Sequence, residues 1–214
     1  VANYYGRRFG VDLDVEREVI VTLGSKEGLA NLASAICAPG DMILVPSPSY
    51  PIHPYGFIIA GAKVCPVRVG DEVDLIAEIK RAALSVSPSP RALVLNFPNN
   101  PTGAVVDTAF YSEIVDFAKS IGLYILSDIA YAEIYFEESP PPSVLQVPGA
   151  MDIAVEFSSV SKTYSMPGWR VGFGAGNREL IGALARIKSY LDYGAFTPVQ
   201  VAASAALSGP QECI

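Results

Sequence analysis

Seven short apolar, β-branched runs recur along the chain: Val19-Leu23, Met42-Val45, Lys63-Val69, Ala92-Phe97, Leu123-Ser127, Asp152-Phe157 and Val171-Ala175. Most are apolar at successive rather than alternate positions. A strand with one wet face alternates, whereas a strand covered on both faces does not, so the runs predict a largely parallel sheet between layers of helix. Helical stripes fill the intervals. Leu29, Leu32, Ala33 and Ile36 share one face; Phe110, Ile114, Phe117 and Ile121 share another, behind an N-capping Asp107; Leu180, Leu184, Ile187 and Leu191 make a third. All three read as core-packing faces. The Pro-rich stretches 85–90 and 139–143 are loops. Strand and helix alternating in this way give an α/β class, a three-layer α/β/α domain with a mostly parallel seven-stranded sheet.

At 214 residues, without internal repeats, the chain fits one domain of the larger α/β kind. Its 15 basic and 22 acidic side chains leave a net charge of −7, and its longest basic cluster is Arg7-Arg8, which argues against nucleic acid or an anionic membrane as partner. No uncharged apolar run approaches the roughly 18 residues of a membrane span, and Val1-Ala2-Asn3-Tyr4-Tyr5 lacks a signal pattern. The three cysteines, Cys37, Cys65 and Cys213, are odd in number and lack metal-ligand spacing. Reduced thiols in a cytoplasmic, metal-free protein are therefore expected. Charged residues make up only 17%, against roughly 25% in ordinary soluble domains, which predicts a surface partly covered by other protein. Residue 1 is Val, and Val199, Ala202, Ala203, Ala206 and Leu207 carry an apolar helical face almost to the end. The expectation is a stretch of a longer protein.

In open parallel sheets, ligands bind outside the carboxyl ends of the strands. Polar groups gather there: Gly24-Ser25-Lys26-Glu27-Gly28 after the first run, Pro98-Asn99-Asn100-Pro101-Thr102-Gly103 after the fourth, Asp128 at the end of the fifth, and Ser158-Ser159-Val160-Ser161-Lys162 after the sixth. Gly172-Phe173-Gly174-Ala175-Gly176 resembles a dinucleotide fingerprint but lacks its third glycine and its context. Ser159-Val160-Ser161-Lys162 matches S-x-x-K without that class's other elements. His53 is the sole histidine, no G-x-S-x-G elbow accompanies it, and no P-loop is present.

What remains is one lysine, one aspartate and an anion-binding turn, the minimum kit for pyridoxal 5′-phosphate. Lys162 supplies the amine that condenses with the aldehyde, and Asp128 keeps the ring nitrogen protonated so that the ring draws electrons from a substrate Cα. Tyr131 and Asn100 are expected to donate to the ring oxygen. Ser25 and Lys26 open a helix whose free N–H groups favour the phosphate, and Arg170 complements it with its fork.

Asn99-Asn100-Pro101-Thr102-Gly103, Ser127-Asp128-Ile129-Ala130-Tyr131, and Ser159-Val160-Ser161-Lys162 followed by Gly168-Trp169-Arg170-Val171-Gly172 resemble the large domain of class I/II aminotransferases, pyridoxal-phosphate enzymes of fold type I. The resemblance runs over essentially all of residues 1–214 and implies a seven-stranded sheet with the last strand antiparallel. It implies Lys162, Asp128 and Tyr131 as catalytic residues, with Lys162 also moving the substrate proton. It further implies Asn100 at the ring oxygen, Tyr50 stacked on the ring, and Ser25, Lys26, Ser159 and Arg170 around the phosphate. Implied substrates are an amino acid and a 2-oxo acid such as 2-oxoglutarate, exchanged by a ping-pong course in a homodimer. Tyr193-Gly194-Ala195-Phe196-Thr197 is similar to the stretch that approaches the neighbour's site. The stretches 49–53 and 187–194 are most similar to bacterial alanine (glutamate-pyruvate) aminotransferases, a branch close to LL-diaminopimelate aminotransferases, so alanine is the first expected donor. The family's substrate-carboxylate arginine belongs to a C-terminal segment, and the last arginine here is Arg186, so these residues by themselves are expected to turn over poorly, as a large domain truncated at both ends. A sister activity on the same scaffold, such as a carbon-sulfur β-lyase or aminocyclopropane-carboxylate synthase, and a catalytically silent module remain open beside the aminotransferase.

Overall fold

The computed structural model describes residues 1–70, 72–136 and 139–214. One sheet contains β1 (Val19–Thr22), β2 (Met42–Ser47), β3 (Lys63–Arg68), β4 (Pro90–Asn96), β5 (Tyr124–Asp128), β6 (Ala154–Ser159) and β7 (Gly172–Gly176), in the spatial order β1-β7-β6-β5-β4-β2-β3. The pairs β2–β3, β2–β4, β4–β5 and β5–β6 are parallel. β7 runs antiparallel to both of its neighbours, β1 and β6, as the resemblance implies.

The runs are apolar at successive positions because helices cover both faces. On one face lie α2 (Ser25–Ile36), α3 (Ile52–Ile59) and α7 (Arg178–Leu191), whose Leu32, Phe57 and Leu184 bury against Ile43, Val94 and Val155. On the other lie α1 (Ala2–Phe9), α4 (Leu75–Ser85), α5 (Thr108–Ile121) and α8 (Thr197–Ser208), packed on Leu44, Leu93 and Ile125 through Tyr5, Ile79 and Ile114, with Leu207 of α8 in the same cluster. The sequence places α5 well. Asp107 accepts from the Phe110 amide at 2.8 Å, and Gly122, at φ +68°, closes the helix in the left-handed region that glycine enters freely. Two stripe ends, Ile121 and Leu191, come out exposed because their helices end there.

The sixth run is displaced. β6 begins at Ala154, not Asp152, because Asn177 caps α7 and donates its amide to the carbonyls of Met151 (3.2 Å) and Asp152 (2.8 Å), holding residues 150–152 in a tight turn. Inside β6, Glu156 is completely buried. Oε1 accepts from Ser143 (2.6 Å) and Tyr5 (3.1 Å), and Oε2 from Ser127 and the Val144 amide (both 3.2 Å). Burial pushes this carboxyl up to about 7, and the donors of Ser143, Val144, Tyr5 and Ser127 pull partly against that shift.

Candidate active site

The carboxyl ends of β4, β5 and β6 lie side by side, with Asp128 in register with Asn96 on one side and Phe157 on the other. Asp128 is 5% exposed. Its Oδ1 accepts from the Ala130 amide at 3.1 Å, and its Oδ2 lies 3.0 Å from Nε2 of His53, which is fully buried in α3. Asn96 locks the neighbouring loop to this strand end, donating to the Asp128 carbonyl at 2.9 Å and accepting from the Asn100 amide at 2.9 Å. Asn100 Nδ2 then stands 3.5 Å from the Tyr131 hydroxyl, and Lys162 Nζ lies 5.6 Å from the centre of the Tyr131 ring. Lys162 rides on a one-turn helix, α6 (Val160–Thr163), capped by Ser159 Oγ, which accepts from the Ser161 amide at 3.4 Å. Thus Asp128, Asn100, Tyr131 and Lys162 form one connected group.

On the opposite side, Tyr50 sits edge-on to His53 with ring centres 6.0 Å apart, and Lys26 Nζ lies 5.8 Å from the Tyr50 ring centre. Lys26 is in the first turn of α2, whose N-terminus no side chain caps. Such a terminus offers free N–H groups and the positive end of the helix dipole. The turn that leads into it is built for close approach. Gly24 has φ +90°, and a Cβ there would lie 2.2 Å from Arg170 Nη2. A Cβ on Gly172, the register partner of Ser159, would lie 2.5 Å from the Gly24 carbonyl carbon and the Ser25 nitrogen. Arg170 donates to the carbonyls of Leu23 (3.1 Å) and Pro167 (2.8 Å). A guanidinium has five N–H groups, so donors remain for an anion. Ser25, Lys26, Ser159 and Arg170 therefore surround one turn.

These residues fit pyridoxal 5′-phosphate on their own chemistry: a buried carboxylate for a pyridinium nitrogen, hydroxyl and amide donors for the ring oxygen, a lysine amine for the aldehyde and an uncapped helix terminus for the phosphate. A cavity of about 1070 Å³ adjoins the group, lined by Asn100 and Tyr131 and continuing over Val105, Ile134 and Phe136. Among the described residues, no cluster of His, Cys, Asp and Glu is set to hold a metal ion, and no helix is long and apolar enough to cross a membrane. The three cysteines are free.

Every predicted site residue lies in one of these two adjoining groups. Sequence reasoning passed over two contributors. For His53 the available signal is that it is the sole histidine and follows the end of the second apolar run by a few residues. Asn96 is the last residue of an apolar run, and that polar ending was its signal.

The whole chain, residues 1–214, matches the family model described as aminotransferase class I and II. It is 50% identical over 214 residues to glutamate-pyruvate aminotransferase AlaC of Escherichia coli (strain K12), covering 100% of this chain and 52% of that protein. It is 46% identical over 212 residues to an LL-diaminopimelate aminotransferase of Desulforudis audaxviator, covering 99% and 54%. Among solved structures, a single mutant of Thermus thermophilus aspartate aminotransferase superposes with a TM-score of 0.89 at 32% identity, covering 97% of this chain and 53% of that one. The chain thus spans about half the length of the relatives it matches. It belongs to the aminotransferase class I and II family, whose enzymes depend on pyridoxal 5′-phosphate.

Proposed function

We infer that this chain is the cofactor-binding large domain of a pyridoxal-phosphate-dependent aminotransferase that moves an amino group between an amino acid, alanine first, and a 2-oxo acid such as 2-oxoglutarate. The observation that carries the inference is the linkage of Asp128 through Asn96, Asn100 and Tyr131 to Lys162 across three adjacent strand ends. Bound there, pyridoxal 5′-phosphate supplies a protonated ring that draws electrons away from the amino acid's Cα. Asp128 holds the proton at the ring nitrogen, and His53 steadies its carboxylate from behind. Tyr131 and Asn100 would donate to the ring oxygen, Tyr50 would pack against the ring, and Ser25, Lys26, Ser159 and Arg170 would hold the phosphate. Lys162 would supply the amine that holds the aldehyde and the base that carries the substrate's Cα proton.

Alanine comes first because the Escherichia coli relative at 50% identity is named a glutamate-pyruvate aminotransferase. A homodimer is supported by exposed apolar side chains at Tyr193 and Phe196, within the stretch expected to meet a neighbour, and at Tyr190 just before it. A cytoplasmic location is supported by the free cysteines.

The test is borohydride reduction of the full-length protein in the presence of the cofactor, followed by peptide mass mapping. The label is expected on Lys162 and absent from Lys162→Ala; a label on another lysine refutes the assignment. In a separate sample that has not been reduced, alanine alone should release one equivalent of pyruvate without ammonia. Ammonia release from a β-substituted amino acid would instead identify a lyase.

A further inference from the structure

Lys188 lies in the last turn of α7 and is 5% exposed, the one buried lysine or arginine among the described residues. Its ammonium donates to Glu27 Oε1 at 2.9 Å and to Asp192 Oδ2 at 2.8 Å. Each carboxylate has further donors, and Glu27 Oε1 also accepts from Asn31 Nδ2. Glu27 Oε2 accepts from the Leu23 amide at 2.8 Å, and Asp192 Oδ1 accepts from the Gly194 amide at 2.7 Å. Leu23 is therefore gripped on both sides, at its N–H by Glu27 and at its carbonyl by Arg170. The next residue, Gly24, begins the turn that presents the free amides of α2.

We propose that Lys188 is a positioning residue for the phosphate seat: it fixes Glu27 on the Leu23 amide, so setting the turn from β1 into α2, and it ties that turn through Asp192 to the loop at 192–194. The proposal rests on the reading above that this turn takes the cofactor's phosphate. Its physical basis is the cost of leaving like charges together in a poorly hydrated space. Without the ammonium, Glu27 and Asp192 face each other unscreened and swing apart, and Leu23 loses its amide acceptor. The α2 amides then lose their fixed aim.

The experiment titrates the full-length apoprotein with pyridoxal 5′-phosphate and with pyridoxal, which lacks only the phosphate. In Lys188→Met, affinity for the phosphorylated ligand should fall by 10- to 100-fold, which is about 1.4 to 2.8 kcal/mol, while affinity for pyridoxal changes by less than about threefold. Inorganic phosphate should compete correspondingly less well, and Lys188→Arg should restore most of the preference. Glu27→Ala, which removes the clamp directly, should show the same phosphate-selective loss, and the double variant should be no worse than Lys188→Met alone. Glu27→Ala also decides the matter if Lys188→Met does not fold. Equal losses for both ligands, or none, overturn the proposal. A wild-type protein without preference for the phosphorylated ligand would overturn the phosphate seat itself, whereas a preference that survives both variants overturns only the role of Lys188.

Discussion

Asp128 and Glu156 are buried carboxylates on neighbouring strands, and they project from opposite faces of the sheet: Ser127 is the register partner of Glu156, and Asp128 that of Phe157. Glu156 is enclosed by four donors, three of them hydroxyl or amide groups brought from Tyr5, Ser143 and Val144. Asp128 has an imidazole behind it, one amide beside it, and a strand end that opens towards Lys162. An acid whose lone pairs are consumed by the fold has no capacity left for a ligand, so Glu156 serves stability. An acid held from one side only is available for chemistry on the other, and Asp128 is placed for that.

The sharpest way to break this contrast is to neutralise each acid in the full-length protein. Asp128→Asn keeps the shape and can still bond to His53, so the melting temperature should stay within about 3 °C, while kcat falls by about 10³-fold, some 4 kcal/mol of barrier, because nothing then holds the proton at the ring nitrogen. Cofactor affinity should fall far less. Parallel losses in kcat and cofactor affinity would remove Asp128 from its catalytic role. Glu156→Ala should do the reverse. It leaves three buried hydroxyls and an amide without an acceptor, costing about 3 kcal/mol and lowering the melting temperature by roughly 6–12 °C, with turnover per folded molecule unchanged. A large fall in that turnover would show that the two acids are not separable.

The same contrast predicts a pH signature. The Glu156 carboxyl is pushed up to about 7 in the fold, mainly by burial, against an ordinary value near 4.5. The folded state therefore holds its proton more tightly than the unfolded chain between those values. The resulting stabilisation is complete below pH 4.5, declines as pH rises through 7, and is constant above that. Glu156→Gln cannot titrate, so the difference in unfolding free energy between wild type and variant should decline by up to about 3 kcal/mol across that window. A flat difference from pH 4 to 8 would mean that the fold does not raise the Glu156 carboxyl above its value in the unfolded chain.

The sheet was legible because a strand covered on both faces must be apolar at successive positions, and each of the seven runs lies on a strand. The candidate site residues were legible as a group because Asp128, Asn100 and Ser159 are polar groups at or just past the carboxyl ends of such runs, where a core side chain is not needed. Glu156 was not legible. It is one acid inside an apolar run, and its cage is assembled from Tyr5 and Ser143, 151 and 13 residues away in sequence. The start of β6 was misplaced for a similar reason: Asp152 and Ile153 look like strand, and the contact that turns them comes from Asn177, 25 residues on. Local pattern marks elements and their ends, whereas pairings that close only after the strands assemble leave no local trace.

His53 offers the finest test of how Asp128 is held. Its Nε2 lies 3.0 Å from Oδ2 while its Nδ1, equally buried, has no partner. Against a carboxylate oxygen the ring nitrogen serves as the donor, so this bond runs from Nε2 to Oδ2. The bond therefore does one thing, fixing the carboxylate's direction, and its worth is that of a single hydrogen bond to a charged group, about 1.5–3 kcal/mol at most. Part of that loss is recovered if Asp128 re-aims, so His53→Phe, which fills the space without a donor, should lower kcat by about tenfold and leave cofactor affinity within about threefold. His53→Gln, which offers an amide donor in the same direction, should recover part of the rate. Loss of cofactor binding in proportion to kcat would mean that His53 supports the wall of the site rather than the aim of its acid, and an unchanged kcat would mean that the Ala130 amide alone suffices to hold Asp128 in place.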